Sequence, residues 1–102
     1  MQKVEIVSTQ DFILWLEALP LKEKLLIKKR LLHVEAEGHF GKVKPREGGL
    51  FELKWKNGKR VYFGKIGNKK IILLSGGGKN GQEKDIKKAR VSLKRLSHHP
   101  SS

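Results

Sequence analysis

Asn57-Gly58 and Gly67-Asn68 cut residues 50–75 into three short apolar runs, and this punctuation constrains the chain more than any other feature. Runs rich in β-branched and aromatic residues, separated by such turn signals, predict an antiparallel meander of Leu50–Lys56, Arg60–Ile66 and Lys69–Ser75. The first run alternates, with Phe51, Leu53 and Trp55 on one face and Glu52, Lys54 and Lys56 on the other. In the second run Val61 and Phe63 oppose Arg60 and Tyr62. A two-residue Asn57-Gly58 turn would pair Lys54 with Val61 and mix the two faces. A three-residue loop, Lys56-Asn57-Gly58 with Gly58 left-handed, pairs Leu53 with Val61 and Phe51 with Phe63, so that one apolar face is buried. The expected register therefore sets Lys54 directly across from Arg60, and Glu52 across from Tyr62. Like charges directly opposite are destabilising. They are explained either by an anion bound between them or by simple solvation, with Glu52 supplying a diagonal ion pair.

Upstream, Val4–Val7 reads as a short strand. Ser8 is positioned to cap a helix with Asp11 near its positive end, and Phe12, Trp15, Leu16 and Leu19 form one stripe at helical spacing. Pro20 ends that helix and opens a second one. There Leu21, Leu25, Ile27, Leu31, Leu32 and Val34 make a broad apolar face opposite Lys22, Lys29, Arg30 and His33, and Gly38 is the expected stop. Residues 39–49 read as a loop from their glycine, proline and lysine content. Gly76-Gly77-Gly78 breaks the third strand, and Asn80 with Glu83 has capping-box spacing for a final helix. That helix carries a stripe of Ile86, Ala89, Leu93 and Leu96. The predicted fold class is α+β, in the order βαα-βββ-α, with helices on a small, mainly antiparallel sheet. Residues 1–97 are expected to form a single domain, followed by a disordered tail over 98–102.

Charge then narrows the function. The 102 residues hold 23 Lys and Arg against 10 Asp and Glu, a formal net charge of +13. Basic and acidic residues balance at six each through position 40, and the rest of the chain has seventeen against four. A neutral first part and a basic remainder predict a polyanionic partner met by the sheet and the last helix. The absence of cysteine excludes disulfides, thiolate metal sites and cysteine nucleophiles. Apolar runs are far too short to span a bilayer, and the start does not resemble a signal peptide, so a cytoplasmic protein without membrane association is expected.

Gly76-Gly77-Gly78-Lys79 is not a nucleotide-binding P-loop, which would need glycine at 73 and Ser or Thr at 80, where this chain has Leu73 and Asn80. What remains is a glycine-rich turn whose amides and Lys79 are placed to meet a phosphate. His33 and His39 lack metal-ligand spacing, and His98-His99 fall in the tail. Trp15, Trp55 and Phe12 lie on core-facing stripes, whereas Tyr62 shares the basic face, where it would be free to stack on a base. No Ser–His–Asp or paired-carboxylate arrangement stands out, so hydrolytic chemistry would have to use cations.

Several stretches together resemble one family. They are Lys44-Pro45, Gly49-Leu50-Phe51-Glu52-Leu53-Lys54, Arg60-Val61-Tyr62-Phe63, Gly67 with Ile71-Ile72-Leu73-Leu74, Gly76-Gly77 with Lys79, and Asp85-Ile86 with Ala89. With Phe12, Trp15-Leu16 and Leu19 upstream, residues 3–96 resemble the RelE/ParE superfamily of bacterial toxins, in particular its HigB-like "addiction module killer" branch. The resemblance implies the toxin of a type II toxin–antitoxin system, of bacterial or phage origin. Its activity would be that of a ribosome-dependent endoribonuclease (mRNA interferase), which inhibits translation by cutting mRNA through attack of the ribose 2′-oxygen on the adjacent phosphate, with no metal or cofactor. Carried over by position, Lys54, Arg60 and Lys79 are the implied catalytic cations. Lys42, Lys44, Arg46, Lys56, Lys59, Tyr62 and Asn80 are candidates for RNA and phosphate binding. Implied partners are a cognate antitoxin of helix-turn-helix type, the ribosome and mRNA, and operator DNA through the antitoxin. The alternatives are a non-enzymatic ParE-like inhibitor of DNA gyrase, and an inactive toxin retained as an antitoxin-bound regulator. The chain departs from the branch in four places: Gly77-Gly78-Lys79-Asn80 replaces Gly-Gly-Asp-Lys-Ser/Thr, Gly58-Lys59-Arg60 replaces Gly-Tyr-Arg, Glu52 stands where some active relatives carry lysine, and no tyrosine follows in the last helix. Clustered cations would stabilise a pentacoordinate phosphate. A lysine acting as base would have to titrate roughly 3 units below its free value of ~10.4.

Overall fold

The computed structural model describes residues 3–97, so the expected tail and His98-His99 lie outside the described residues. Eight elements follow in order: β1 (Glu5–Ser8), α1 (Gln10–Glu17), α2 (Leu21–Glu37), β2 (Val43–Arg46), β3 (Leu50–Lys54), β4 (Arg60–Ile66), β5 (Lys70–Gly77) and α3 (Gln82–Ser97). The strands form one sheet ordered β1-β5-β4-β3-β2. Only the β1–β5 pair is parallel, as expected for a strand that returns to the sheet after a helical crossover.

The meander has the predicted register: Phe51 pairs with Phe63, Glu52 with Tyr62, Leu53 with Val61 and Lys54 with Arg60. Its loop is the three-residue one, with Gly58 at φ 92° and Trp55 exchanging backbone hydrogen bonds with Gly58 and Lys59. Alternation then sends the side chains to two separate cores. On one face Leu53, Trp55, Val61, Phe63, Ile71 and Leu73 pack under α1 and α2, which contribute Phe12, Leu16, Ile27, Leu31 and Val34. On the other face Leu50, Tyr62, Ile72 and Leu74 pack against Ala89, with Ile86 and Leu93 beside it.

Several local expectations are corrected. Thr9, not Ser8, caps α1: its Oγ1 accepts from the Phe12 amide at 3.1 Å and donates to the Leu74 carbonyl at 2.8 Å. This second bond requires a residue already leaving β1, and Thr9 occupies that position. Pro20 occupies the N-cap of α2, and Gly38 ends it at φ 70°. Of the broad apolar face expected on α2, only Ile27, Leu31 and Val34 are buried, while Leu21, Leu25 and Leu32 are exposed. One i, i+4, i+7 seam is all that a straight helix lays on this sheet. Leu96 of α3 is exposed as well.

Residues 39–49 are not all loop. Val43–Arg46 forms the edge strand β2, paired with β3 through the turn at Gly48 and Gly49. Its Pro45 obscured the strand, because proline is tolerated only at a sheet edge, which is where this strand lies. The three consecutive glycines do not break β5 either, since the strand runs through Gly77 and none of the three has positive φ. Two of them are small because side chains press on the backbone: a methyl group on Gly76 would overlap the Trp15 ring, and one on Gly77 would overlap the Asp85 carboxylate. Gly76→Ala is therefore expected to cost about 1–3 kcal/mol by overpacking, read from the urea midpoint; an unchanged midpoint would contradict this packing. Finally, Asn80 does not cap α3. The Asp85 amide bonds to the carbonyl of Gly81, whose φ of 86° turns the chain into the helix one residue later than expected.

Candidate functional site

The basic face is built by alternation. Lys44 pairs with Glu52, Arg46 with Leu50, and Lys54 with Arg60, so Lys44, Arg46, Glu52, Lys54, Arg60 and Tyr62 all project from the α3 side of the sheet. The helix covers only part of that side. A cleft of about 710 Å³ remains, lined by Lys42, Lys44, Arg46, Lys54 and Arg60 together with Glu52, Gln82, Glu83 and apolar groups. Five cations against two carboxylates leave it strongly positive, and its open side meets water.

The cleft has an ordered floor and a free rim. On the floor, Glu52 is almost completely buried. Its Oε1 accepts from Arg46 Nε at 3.0 Å, from Arg46 Nη2 at 2.7 Å and from Gln82 Nε2 at 3.2 Å. Its Oε2 lies 3.5 Å from Arg60 Nε, which is close enough for charge pairing, although that buried Nε makes no hydrogen bond. Arg60 Nη1 donates at 3.3 Å to the carbonyls of Gly58 and Gly78. Two guanidiniums are thus held in place by one carboxylate. At the rim, Lys42, Lys44 and Lys54 form no ion pair among the described residues. Ammonium groups without a protein partner, beside guanidiniums in fixed orientation, make an anion site suited to phosphate.

The predicted Lys54–Arg60 juxtaposition is present, with the diagonal Glu52 ion pair falling to Arg60. Arg60 is the member with the diagonal Glu52 contact and is buried, whereas Lys54 is exposed and unpaired. Other candidates are placed elsewhere. Lys79 is exposed on the turn beside Gly58 and is not among the residues that line the cleft. Lys59 points to α2 and pairs with Glu23 at 3.3 Å. Asn80 is exposed outside the cleft lining. Lys56 belongs to a neighbouring depression.

Tyr62 is corrected outright: it is fully buried beneath α3 and cannot stack on a base. The alternation that put it on the basic face was right, but α3 covers that end of the face. Its hydroxyl has no hydrogen-bond partner, and burial, with the Glu52 charge adding, pushes its pKa from 10.0 up to about 12. Removing an unsatisfied buried hydroxyl relieves its desolvation cost, so Tyr62→Phe is expected to gain about 1–3 kcal/mol, seen as a higher Tm. It should also flatten the alkaline limb of stability. The unfolded chain loses this proton first, so the contribution of Tyr62 is complete below about pH 10 and is lost as pH rises toward 12. A Tyr62→Phe protein no more stable than the parent would show that the hydroxyl is satisfied. Asp85, against Gly77, is likewise raised by burial.

Gln82 and the Arg46–Glu52–Arg60 bridge were not anticipated as a unit. Their one sequence signal was the glutamate set among cations on a predicted strand. Arg30, expected on a solvated face, is instead structural: it donates to the carbonyls of Lys54, Phe40 and Lys42 and lies 4.7 Å from the Trp55 ring. Among the described residues no three His, Asp or Glu side chains come together to hold a metal ion, and no helix is long and apolar enough to cross a membrane.

The arrangement of helices and sheet is the fold of solved RelE structures. The chain is similar to the free toxin RelE of Escherichia coli, in a mutant with two arginines replaced by alanine, with a TM-score of 0.72 and 18% identity over 93% of this chain and 99% of that one. It is also similar to a chain of the intact Escherichia coli RelBE toxin–antitoxin complex, with a TM-score of 0.63, 18% identity and coverage of 74% and 95%. A chain of the RelBE2 toxin–antitoxin complex of Mycobacterium tuberculosis gives a TM-score of 0.61 at 16% identity, with coverage of 74% and 98%. At such identities the likeness is one of fold. No protein-family model matches the chain. By sequence, the chain belongs to the same family as an uncharacterized protein of Haemophilus influenzae, to which it is 36% identical over 96 residues, 91% of this chain and 96% of that one.

Proposed function

We propose that the chain is the toxin of a type II toxin–antitoxin pair and a ribosome-dependent endoribonuclease that cuts mRNA. One observation carries this reading: on a RelE-type fold, Lys42, Lys44, Arg46, Lys54 and Arg60 converge on one open cleft, with Arg46 and Arg60 oriented by buried Glu52. In the proposed step the ribose 2′-oxygen attacks the adjacent phosphorus and loses its proton. The bond from phosphorus to the 5′-oxygen breaks, and that oxygen gains a proton, leaving a 2′,3′-cyclic phosphate and a 5′-hydroxyl. No redox partner is needed. Charge accumulates on the non-bridging oxygens, where Lys54 and the oriented guanidiniums would stabilise it. Lined by cations, the cleft suits a phosphate directly and not a divalent ion. A Glu52 carboxylate engaged by two guanidiniums and Gln82 suits orientation of those groups better than proton transfer. The ribosome would then supply part of the acid–base geometry.

The residue pattern favours the HigB-like branch, and the exposed basic face suits an acidic or helix-turn-helix antitoxin acting in the cytoplasm. Induced expression followed by mapping of mRNA 5′ ends tests the reading. New ends within translated codons, dependent on ribosomes, are expected. DNA damage with intact mRNA would replace it with gyrase inhibition, and unimpaired growth would replace it with an inactive, antitoxin-bound regulator.

A further inference from the structure

Beside the cleft lies a second depression, also of about 710 Å³, lined by Arg30, Gly41, Lys42, Lys54, Trp55 and Lys56. Lys42 and Lys54 line both hollows, so the two adjoin at these residues. Lys56 forms no ion pair among the described residues.

The wall of the second hollow is rigid and flat. Arg30 has its guanidinium tied to the carbonyls of Phe40 at 2.9 Å and Lys42 at 3.1 Å, and to that of Lys54, while the Trp55 ring lies 4.7 Å away. Trp55 is itself anchored through its Nε1, which donates to the Leu26 carbonyl at 3.3 Å. At Gly41 the chain turns at φ 74° close against Arg30, where a Cβ would come within 3.3 Å of Nη2. Glycine therefore lets the backbone turn there without a side chain crowding the guanidinium. The Arg30 guanidinium, backed by the buried Trp55 ring and beside unpaired ammonium groups, offers a flat face for a base and charge for a phosphate, the two chemistries of single-stranded nucleic acid. The cleft described above has no aromatic lining, so the two hollows divide these tasks.

We infer that the Arg30–Trp55–Lys56 depression is a second nucleotide subsite. It receives the nucleotide next to the one in the cleft, whose shared phosphate lies between Lys42 and Lys54. The inference rests on the nucleic-acid reading of the cleft and adds a direction to it: the strand runs from Arg46 and Arg60 across Lys42 and Lys54 toward Lys56.

The test uses the full chain and 2′-O-methyl uridylates, which bind but cannot be cut. Affinity is measured for 2′-O-methyluridine 3′-phosphate, which fills the cleft alone, and for the 2′-O-methyl dinucleotide, which fills both subsites, in the parent, Lys56→Ala, Lys54→Ala and Lys69→Ala. Lys69 is an exposed residue at the other end of the meander, so its variant measures the loss from removing any one charge. The parent is expected to bind the dinucleotide at least about tenfold more tightly than the mononucleotide. In Lys56→Ala that length advantage should fall by about fivefold or more, and in Lys69→Ala it should persist. An unchanged length advantage in Lys56→Ala, with Lys54→Ala weakening both probes, would overturn the subsite and leave the cleft reading standing. Lys54→Ala without effect on either probe would overturn both. Equal losses in Lys56→Ala and Lys69→Ala would reduce Lys56 to general charge and overturn the subsite as well.

Discussion

Replacing Lys54 by methionine is expected to lower RNA cleavage about 100-fold or more while leaving the folded protein intact. An oriented charge at a developing oxyanion is worth roughly 10²–10³ in rate. Lys54 is well placed to be such a charge, since its side chain is exposed at the rim, directly across from Arg60, and has no ion pair among the described residues. Methionine keeps most of the unbranched stem, and a surface change of this kind costs within about 0.5 kcal/mol. The two readouts therefore separate: activity falls and Tm stays. Binding of uncleavable RNA should weaken too, with a log–log salt slope shallower by about 0.7 for the lost phosphate contact on a single strand. Unchanged cleavage and an unchanged slope would remove the anion site from this cleft.

Glu52→Ala should do the opposite, striking stability first. The carboxylate is buried and bonded to Arg46 and Gln82, with Arg60 3.5 Å away. Its removal leaves a buried guanidinium facing a second one with no negative charge between them. Breaking one side of a buried ion pair costs about 3–5 kcal/mol, and in a chain of this size that corresponds to a Tm lower by more than about 12 °C. Glu52→Gln, which keeps a carbonyl to accept from Arg46, should lie between the two. Its RNA cleavage reports on orientation of the guanidiniums, separately from folding. A Glu52→Ala protein as stable as the parent would show that the arginines simply swing into water, and the cleft would then have no ordered floor.

The difference between these two variants follows from a single feature of the sheet. Lys54 and Glu52 are two residues apart on one strand and point the same way, yet one is at the rim and the other on the floor. Their surroundings differ because β2 and α3 close over Glu52 and stop short of Lys54, with Arg46 and Gln82 approaching from either side. Lys79, the third catalytic cation that the resemblance implies, follows β5 in the glycine-rich turn. Because the strand continues through Gly77, the turn is carried past the cleft, and Lys79 with it.

What was legible in the sequence is what strand alternation and turn chemistry control. A period of two, with a Gly58 that needs left-handed φ, leaves one register that buries a single apolar face. That register set Lys54 against Arg60 and Glu52 against Tyr62 without any knowledge of the helices. The order of the helices, the stop at Gly38 and the division of charge between the two parts of the chain were equally local properties. Tertiary structure alone decided which parts of the basic face stay open. Packing of α3 buried Tyr62, and an edge position made a strand of Val43–Arg46 despite Pro45. Close approach of Trp15 and Asp85, not turn formation, accounts for the glycines at 76 and 77. Alternation assigns a side chain to a face; only the elements packed on that face determine whether it meets water, a partner or a neighbouring charge.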